Sequence, residues 1–169
     1  TKSGRLTAIR TDGWITMDFP TDPTTPVEPP PHLLDALGVL DPIYVGKSER
    51  DYFVRCEDAR DVRALSPEMT TLASLDTRGV IVTAPSNEAS DFVSRFFAPR
   101  VGVPEDPVTG SAHCALGPYW AEETGRTTLT GRQVSARGGT VRVELASPNA
   151  DRVKLSGQAT TVLRGRLNA

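Results

Sequence analysis

Gly102-Val103-Pro104-Glu105-Asp106-Pro107-Val108-Thr109-Gly110-Ser111-Ala112-His113-Cys114-Ala115-Leu116 is the stretch on which the reading of this chain turns. A carboxylate, hydroxyls and a row of amides converge there on the start of an apolar segment. From Ala112 onward, Ala112, Ala115, Leu116, Tyr119 and Trp120 recur every three or four positions, which puts them on one face of a helix, expected to be core. Gly125 is a stop and Thr109 or Ser111 a candidate N-cap, so the pattern predicts a helix over 110–124. Pro118 falls inside it, removes one backbone hydrogen bond, and predicts a bend near Cys114 to Leu116.

Three residues after Thr109, Gly110 and Ser111 stand Ala112, His113 and Cys114, so no Glu or Gln completes a capping box. The first amides need another partner. Gly110 lets a ligand approach the backbone, and the helix dipole favours negative charge by roughly 0.3–1 kcal/mol in exposed settings. Two readings stand side by side: Thr109 or Ser111 caps an ordinary helix, or the helix start holds a carboxylate.

The segment resembles the second-half signature of the phenazine-biosynthesis PhzF-like proteins, relatives in fold of diaminopimelate epimerase. The similarity extends through 1–7, Asp12-Gly13-Trp14-Ile15-Thr16-Met17-Asp18-Phe19-Pro20, Gly79-Val80-Ile81-Val82-Thr83-Ala84 and Asp91-Phe92-Val93-Ser94-Arg95-Phe96-Phe97-Ala98-Pro99. It continues through Pro118-Tyr119-Trp120, Gln133-Val134-Ser135, Arg137-Gly138-Gly139 and Ser156-Gly157-Gln158-Ala159.

The resemblance implies a cofactor-independent isomerase of two similar lobes, each a barrel-like sheet around one central helix, with the active cleft between them. It also implies a departure. The family's first lobe carries an acid–base glutamate and a Gly-His pair at its own central helix, and no segment of this sequence matches either. By the same resemblance, Asp106 and Ser111 are the expected catalytic residues, and Thr109, Gly110, Ser111 and Ala112 the expected binders of a small carboxylate substrate. No cofactor and no metal are expected.

Residue by residue, the chemistry has plainer alternatives. Asp106 could position a substrate amine or hydroxyl, or support its own turn through an Asx hydrogen bond. Ser111 could bond substrate while also capping, but a serine nucleophile needs a base, and the two histidines are His113 and distant His32. His113 reads as structural, Glu105 as solvated or paired with an arginine such as Arg100, and Cys56 and Cys114 as small buried apolar residues. Two histidines without clustered carboxylates or thiols make no persuasive metal set. A hydrolase centred on Ser111-Ala112-His113-Cys114 is the weakest of the alternatives.

The 169 residues, with 19 basic and 21 acidic side chains, suit one domain or a domain plus a remnant of another. No basic run gives a footprint for nucleic acid, and no apolar run approaches the roughly 20 residues of a membrane span. No signal peptide is apparent, and a cytoplasmic location is expected.

The fold class expected is α+β: a strongly curved, mostly antiparallel, barrel-like sheet around the helix over 110–124. Strands are expected at 5–10, 14–19, 43–47, 51–56, 79–84, 92–97, 132–137, 140–146, 152–156 and 158–163, and helices at 31–38, 58–65 and 66–75. Ser66 is the expected N-cap of the last. Residues 1–20 are expected to be a hairpin left from a missing N-terminal lobe, with its partners on that lobe rather than on this chain. Residues 21–31 read as a linker, and 32–169 as the C-terminal lobe, whose last strand could return to the missing one. Such a half-chain is expected to pair with itself as a homodimer or with a separate first-lobe polypeptide. A non-catalytic binding or assembly module is the competing reading of its function.

Overall fold

A hairpin opens the described part of the chain, and its turn shows how locally the sequence dictates structure. The computed structural model describes residues 6–86 and 88–165. Strands β1 (Ala8–Thr11) and β2 (Trp14–Pro20) are joined by Asp12 and Gly13, both at positive φ (49° and 81°), the two-residue turn whose twist suits antiparallel strands. Arg5, where the first strand was expected to begin, lies outside the described residues.

The following strands are β3 (Thr25–Pro26), β4 (Tyr44–Lys47), β5 (Asp51–Arg55), β6 (Gly79–Pro85), β7 (Phe92–Phe97), β8 (Thr128–Gln133), β9 (Gly139–Leu145) and β10 (Arg152–Gly157). They form one ten-stranded sheet in the order β1-β2-β10-β9-β8-β7-β6-β5-β4-β3. Its neighbours are antiparallel except β5–β6 and β7–β8, which are parallel. Each parallel pair needs a crossover. Helices α1 (Leu33–Leu37), α2 (Ala59–Ala64) and α3 (Met69–Ser74) cover one face of the sheet, with α2 and α3 in the β5–β6 connection; α4 (Gly110–Thr124) lies on the other face, in the β7–β8 connection.

Strand alternation divides the apolar residues between two cores. Phe53, Ile81, Phe92 and Phe96 face α4, while Val54, Val80, Val82, Val93 and Phe97 face α1, α2 and α3. Covered on both sides, β6 is buried from Gly79 to Ala84, which explains its unbroken apolar run. α4 is buried from Ala112 through Pro118, all the way round rather than on the single face its spacing suggested. A Cβ on Gly117 would stand 2.9 Å from Val143 Cγ1, so glycine there lets the helix lie close against β9.

Two expectations about the N-terminal third are corrected. The hairpin finds its neighbour within this chain, because β2 pairs with β10 over Ile15 to Pro20. Residues 21–31 are no free linker either. Thr21 N–H donates to Asp151 O, Asp22 N–H to Cys114 O and Val27 N–H to Val45 O, and Thr25–Pro26 adds a strand to β4. At roughly 3.3–3.6 Å per residue, the passage from Pro20 to Thr25 spans at most about 18 Å. It joins the second strand of the order to the last, so the sheet curls almost onto itself without closing. Asp22 takes the carbonyl that Pro118, four residues further along α4, cannot bond.

Other boundaries shift for local reasons. α3 starts at Met69 because Glu68, not Ser66, caps it, its carboxylate accepting from Thr70 N–H and Thr71 N–H at 3.2 and 2.7 Å. The strand expected at 132–137 lies at Thr128–Gln133, and 158–163 forms no strand.

Candidate functional site

The N-terminal turn of α4 is built from the residues that precede it. Asp106 N–H donates to Phe96 O at 3.0 Å, which ties the turn to the end of β7. Glu105 forms a two-pronged pair with Arg95 (Nε to Oε1 2.7 Å, Nη2 to Oε2 3.0 Å), and Arg95 also donates to Leu65 O at 2.7 Å. Glu105 therefore pairs with Arg95, not Arg100, which binds Asp76 and Leu75 O instead.

Gln133, fully buried at the end of β8, is the centre of the turn. Its Oε1 accepts from Thr109 N–H at 2.8 Å, and its Nε2 lies 2.6 Å from Asp106 O and 3.1 Å from Thr109 Oγ1. The Thr109 hydroxyl donates to Asp106 Oδ2. That bond corrects the capping expectation. Thr109 occupies the N-cap position with extended backbone (φ −110°), but its hydroxyl is turned to Asp106 as donor and to Gln133 Nε2 as acceptor, and caps nothing. Ser111 lies inside the first turn and its Oγ accepts from Arg78 Nη1 at 3.1 Å.

The amides of Gly110, Ser111 and Ala112 consequently have no acceptor among the described residues; His113 N–H, at 3.4 Å from Thr109 O, makes the first bond of the helix. Gly110 is exposed, and a Cβ there would meet nothing within 4 Å. Beside this turn opens a crevice of about 490 Å³ lined by Phe19, Thr21, Asp22, Arg50, Ser111 and Cys114, among others. Two larger grooves, about 590 Å³ each, lie beside α1 and α2 and at the C-terminal end of α4. Neither touches the open amides, so size alone does not mark the site.

His113 is wholly buried and structural. A carbonyl can only accept, so the 2.8 Å contact with Thr109 O fixes the proton on Nδ1. Nε2 is buried without a partner among the described residues. Protonating it would bury an unpaired N–H, and this desolvation pushes the ring down to about 4 against a weaker opposing bond to Thr109. Burial pushes the thiols of Cys56 and Cys114 up to about 11, which suits packing rather than reaction.

The structure thus gathers Asp106, Thr109, Gly110, Ser111 and Ala112 into one turn. Gln133, Arg78, Asp51 and Arg95 support it without having been singled out as site residues. Arg78 and Asp51 meet because β5 and β6 are parallel, with Asp51 opposite Gly79. Among the described residues no group of three or more His, Cys, Asp or Glu could hold a metal, and no helix is long and apolar enough to cross a membrane.

A curved α+β sheet around a helix whose first turn places Ser111 on a crevice has the fold of an epimerase-like lobe. Residues 14–165 match the phenazine biosynthesis-like (PhzC-PhzF) proteins, and the chain belongs to that family. It is 46% identical over 169 residues to an uncharacterised isomerase of Halalkalibacterium halodurans, covering 99% of this chain and 62% of that protein. A PhzF-family phenazine biosynthesis protein of Enterococcus faecalis superposes with a TM-score of 0.86 at 34% identity, over 97% of this chain and 61% of that one. A Pseudomonas aeruginosa protein described as a predicted epimerase shares the fold alone, at 17% identity and a TM-score of 0.64. The chain spans about three fifths of the length of these relatives.

Proposed function

We propose that this chain provides the carboxylate-binding wall of a cofactor-independent isomerase that moves a proton on a small carboxylate-bearing substrate. The observation that carries the reading is the set of three amides at Gly110, Ser111 and Ala112 that have no acceptor among the described residues, next to the Asp106 carboxylate and the Ser111 hydroxyl. Oriented amides bind a carboxylate and stabilise the negative charge that develops when a proton leaves the adjacent carbon. Asp106, held by Thr109 through one oxygen, offers the other to a substrate amine or hydroxyl. The acid–base group that takes the proton and returns it elsewhere on the same molecule is not among these residues and comes from polypeptide across the cleft. No electrons are gained or lost in such a shift, and no cofactor is required.

Two measurements test this. Small carboxylates added to the isotope-labelled chain should shift the amide resonances of Gly110, Ser111 and Ala112 saturably; unmoved resonances would remove the anion site. The chain alone should incorporate no solvent deuterium into a panel of amino and hydroxy carboxylates. Robust turnover by these 169 residues would show that the acid–base group is here after all.

A second reading, self-pairing or assembly with a separate lobe, draws on the outer edge of β1, which pairs with no other strand among the described residues and is exposed throughout, with Ile9 64% accessible. Size-exclusion with light scattering decides it, a monomer at all concentrations counting against self-pairing.

A further inference from the structure

One charged pair outside the turn reaches into it. Asp51, at the start of β5, is 1% exposed, and its carboxylate takes Arg78 in a fork: Nε donates to Oδ1 at 2.9 Å and Nη2 to Oδ2. A planar guanidinium gripped at two nitrogens has little freedom left. Its remaining arm is thereby aimed, and Nη1 meets Ser111 Oγ at 3.1 Å. A hydroxyl has one proton and two lone pairs, whereas a guanidinium only donates. The contact therefore consumes a lone pair of Ser111, and the hydroxyl proton cannot point back at Arg78. No other described group bonds Ser111 Oγ, and Ser111 lines the crevice.

We infer that Arg78, locked by buried Asp51, is a positioning residue that makes Ser111 a dedicated hydrogen-bond donor to the anion in the crevice. The inference rests on the carboxylate site proposed above and adds the device that sets the polarity of its hydroxyl. Loss of orientation, not loss of charge, is what should matter. A lysine at this place keeps the charge but cannot grip Asp51 at two points and reach Ser111 as well.

The test is an acetate titration at constant ionic strength, read at the amides of Gly110 and Ala112, on the native chain, R78K, S111A and the double variant. R78K should weaken acetate binding roughly tenfold, the scale of one charge-assisted hydrogen bond. In the S111A background the same change should cost less than about twofold, because the hydroxyl through which Arg78 acts is gone. Equal losses in both backgrounds, or none in the first, overturn the inference and leave the carboxylate site standing. Where R78K fails to fold, the neutral pair D51N/R78Q replaces it in the same cycle. A second readout needs no acetate: hydrogen exchange at the Arg78 guanidinium should quicken in S111A, and an unchanged rate overturns the inference. Absence of any acetate response in the native chain instead removes the anion site, and this inference with it.

Discussion

Replacing Gln133 with methionine keeps the length and nearly the volume of the side chain while removing every hydrogen bond it makes. Two backbone groups lose their partner: the buried Thr109 N–H, now 2.8 Å from Oε1, and Asp106 C=O, 2.6 Å from Nε2. Each unsatisfied group costs about 1–3 kcal/mol, so Gln133→Met should lower unfolding stability by about 2–6 kcal/mol. With a urea slope of about 1–3 kcal/mol/M, the midpoint should fall by roughly 1–2 M with the slope unchanged. The same variant should blur the acetate response of Gly110 and Ser111, since their turn is no longer tethered to β8. Gln133→Glu separates bonding from packing. Its carboxylate still accepts from Thr109 N–H but sets a second acceptor against Asp106 O, so folding favours the protonated form and raises that group above its unfolded value. The deficit should then be largest at neutral pH and shrink as pH falls toward the unfolded carboxyl value of about 4.3. A midpoint for Gln133→Met within about 0.2 M of the native chain would refute the claim that this side chain holds the turn.

Protonation of His113 should weaken the fold in mild acid. Its folded value, about 4, lies below the unfolded value of about 6.5, so the unfolded chain binds more protons between them; about 3 kcal/mol should be lost as pH falls through that window. Urea midpoints across it should show a loss that His113→Gln flattens, and an equal slope in both proteins would contradict the assignment. Glu105→Gln breaks a pair whose side chains are 13% and 20% exposed, and partial solvent screening sets the expected cost at about 1–3 kcal/mol. Denaturant melts of the single and double variants with Arg95 would measure it, and additivity would show that the two do not interact. Pro118→Ala returns an amide to α4 that competes for Cys114 O, so exchange at the Asp22 amide should speed by roughly an order of magnitude. An unchanged rate would mean that Asp22 does not depend on the proline.

Much of the fold was legible because its signals are short in range. Asp12-Gly13 marks the first hairpin, Gly38 and Gly125 end helices in the left-handed region, and the apolar run of β6 marks a strand covered on both faces. The site turn could be read for the same reason, since Asp106 to Ala112 is contiguous. What the pattern concealed is set by pairing at a distance. Asp51 and Arg78 become neighbours only through a parallel register, and Gln133 meets Thr109 only once β8 lies beside β7. The assignment of residues 21–31 as a linker failed because proline and threonine signal the absence of a helix, not the absence of partners. Thr109 misled because capping needs its hydroxyl oxygen turned to the helix amides, whereas in the fold that oxygen accepts from Gln133 Nε2 and its proton goes to Asp106.

The ladder between β2 and β10 joins residues more than 130 positions apart. Closing so long a loop carries its full entropic penalty before any contact rewards it, and such topologies mature slowly. During synthesis β2 must wait, that flank bare, until β10 has left the ribosome. The adhesive interval before β2 docks on β10 is when a holding chaperone would matter most to this sheet.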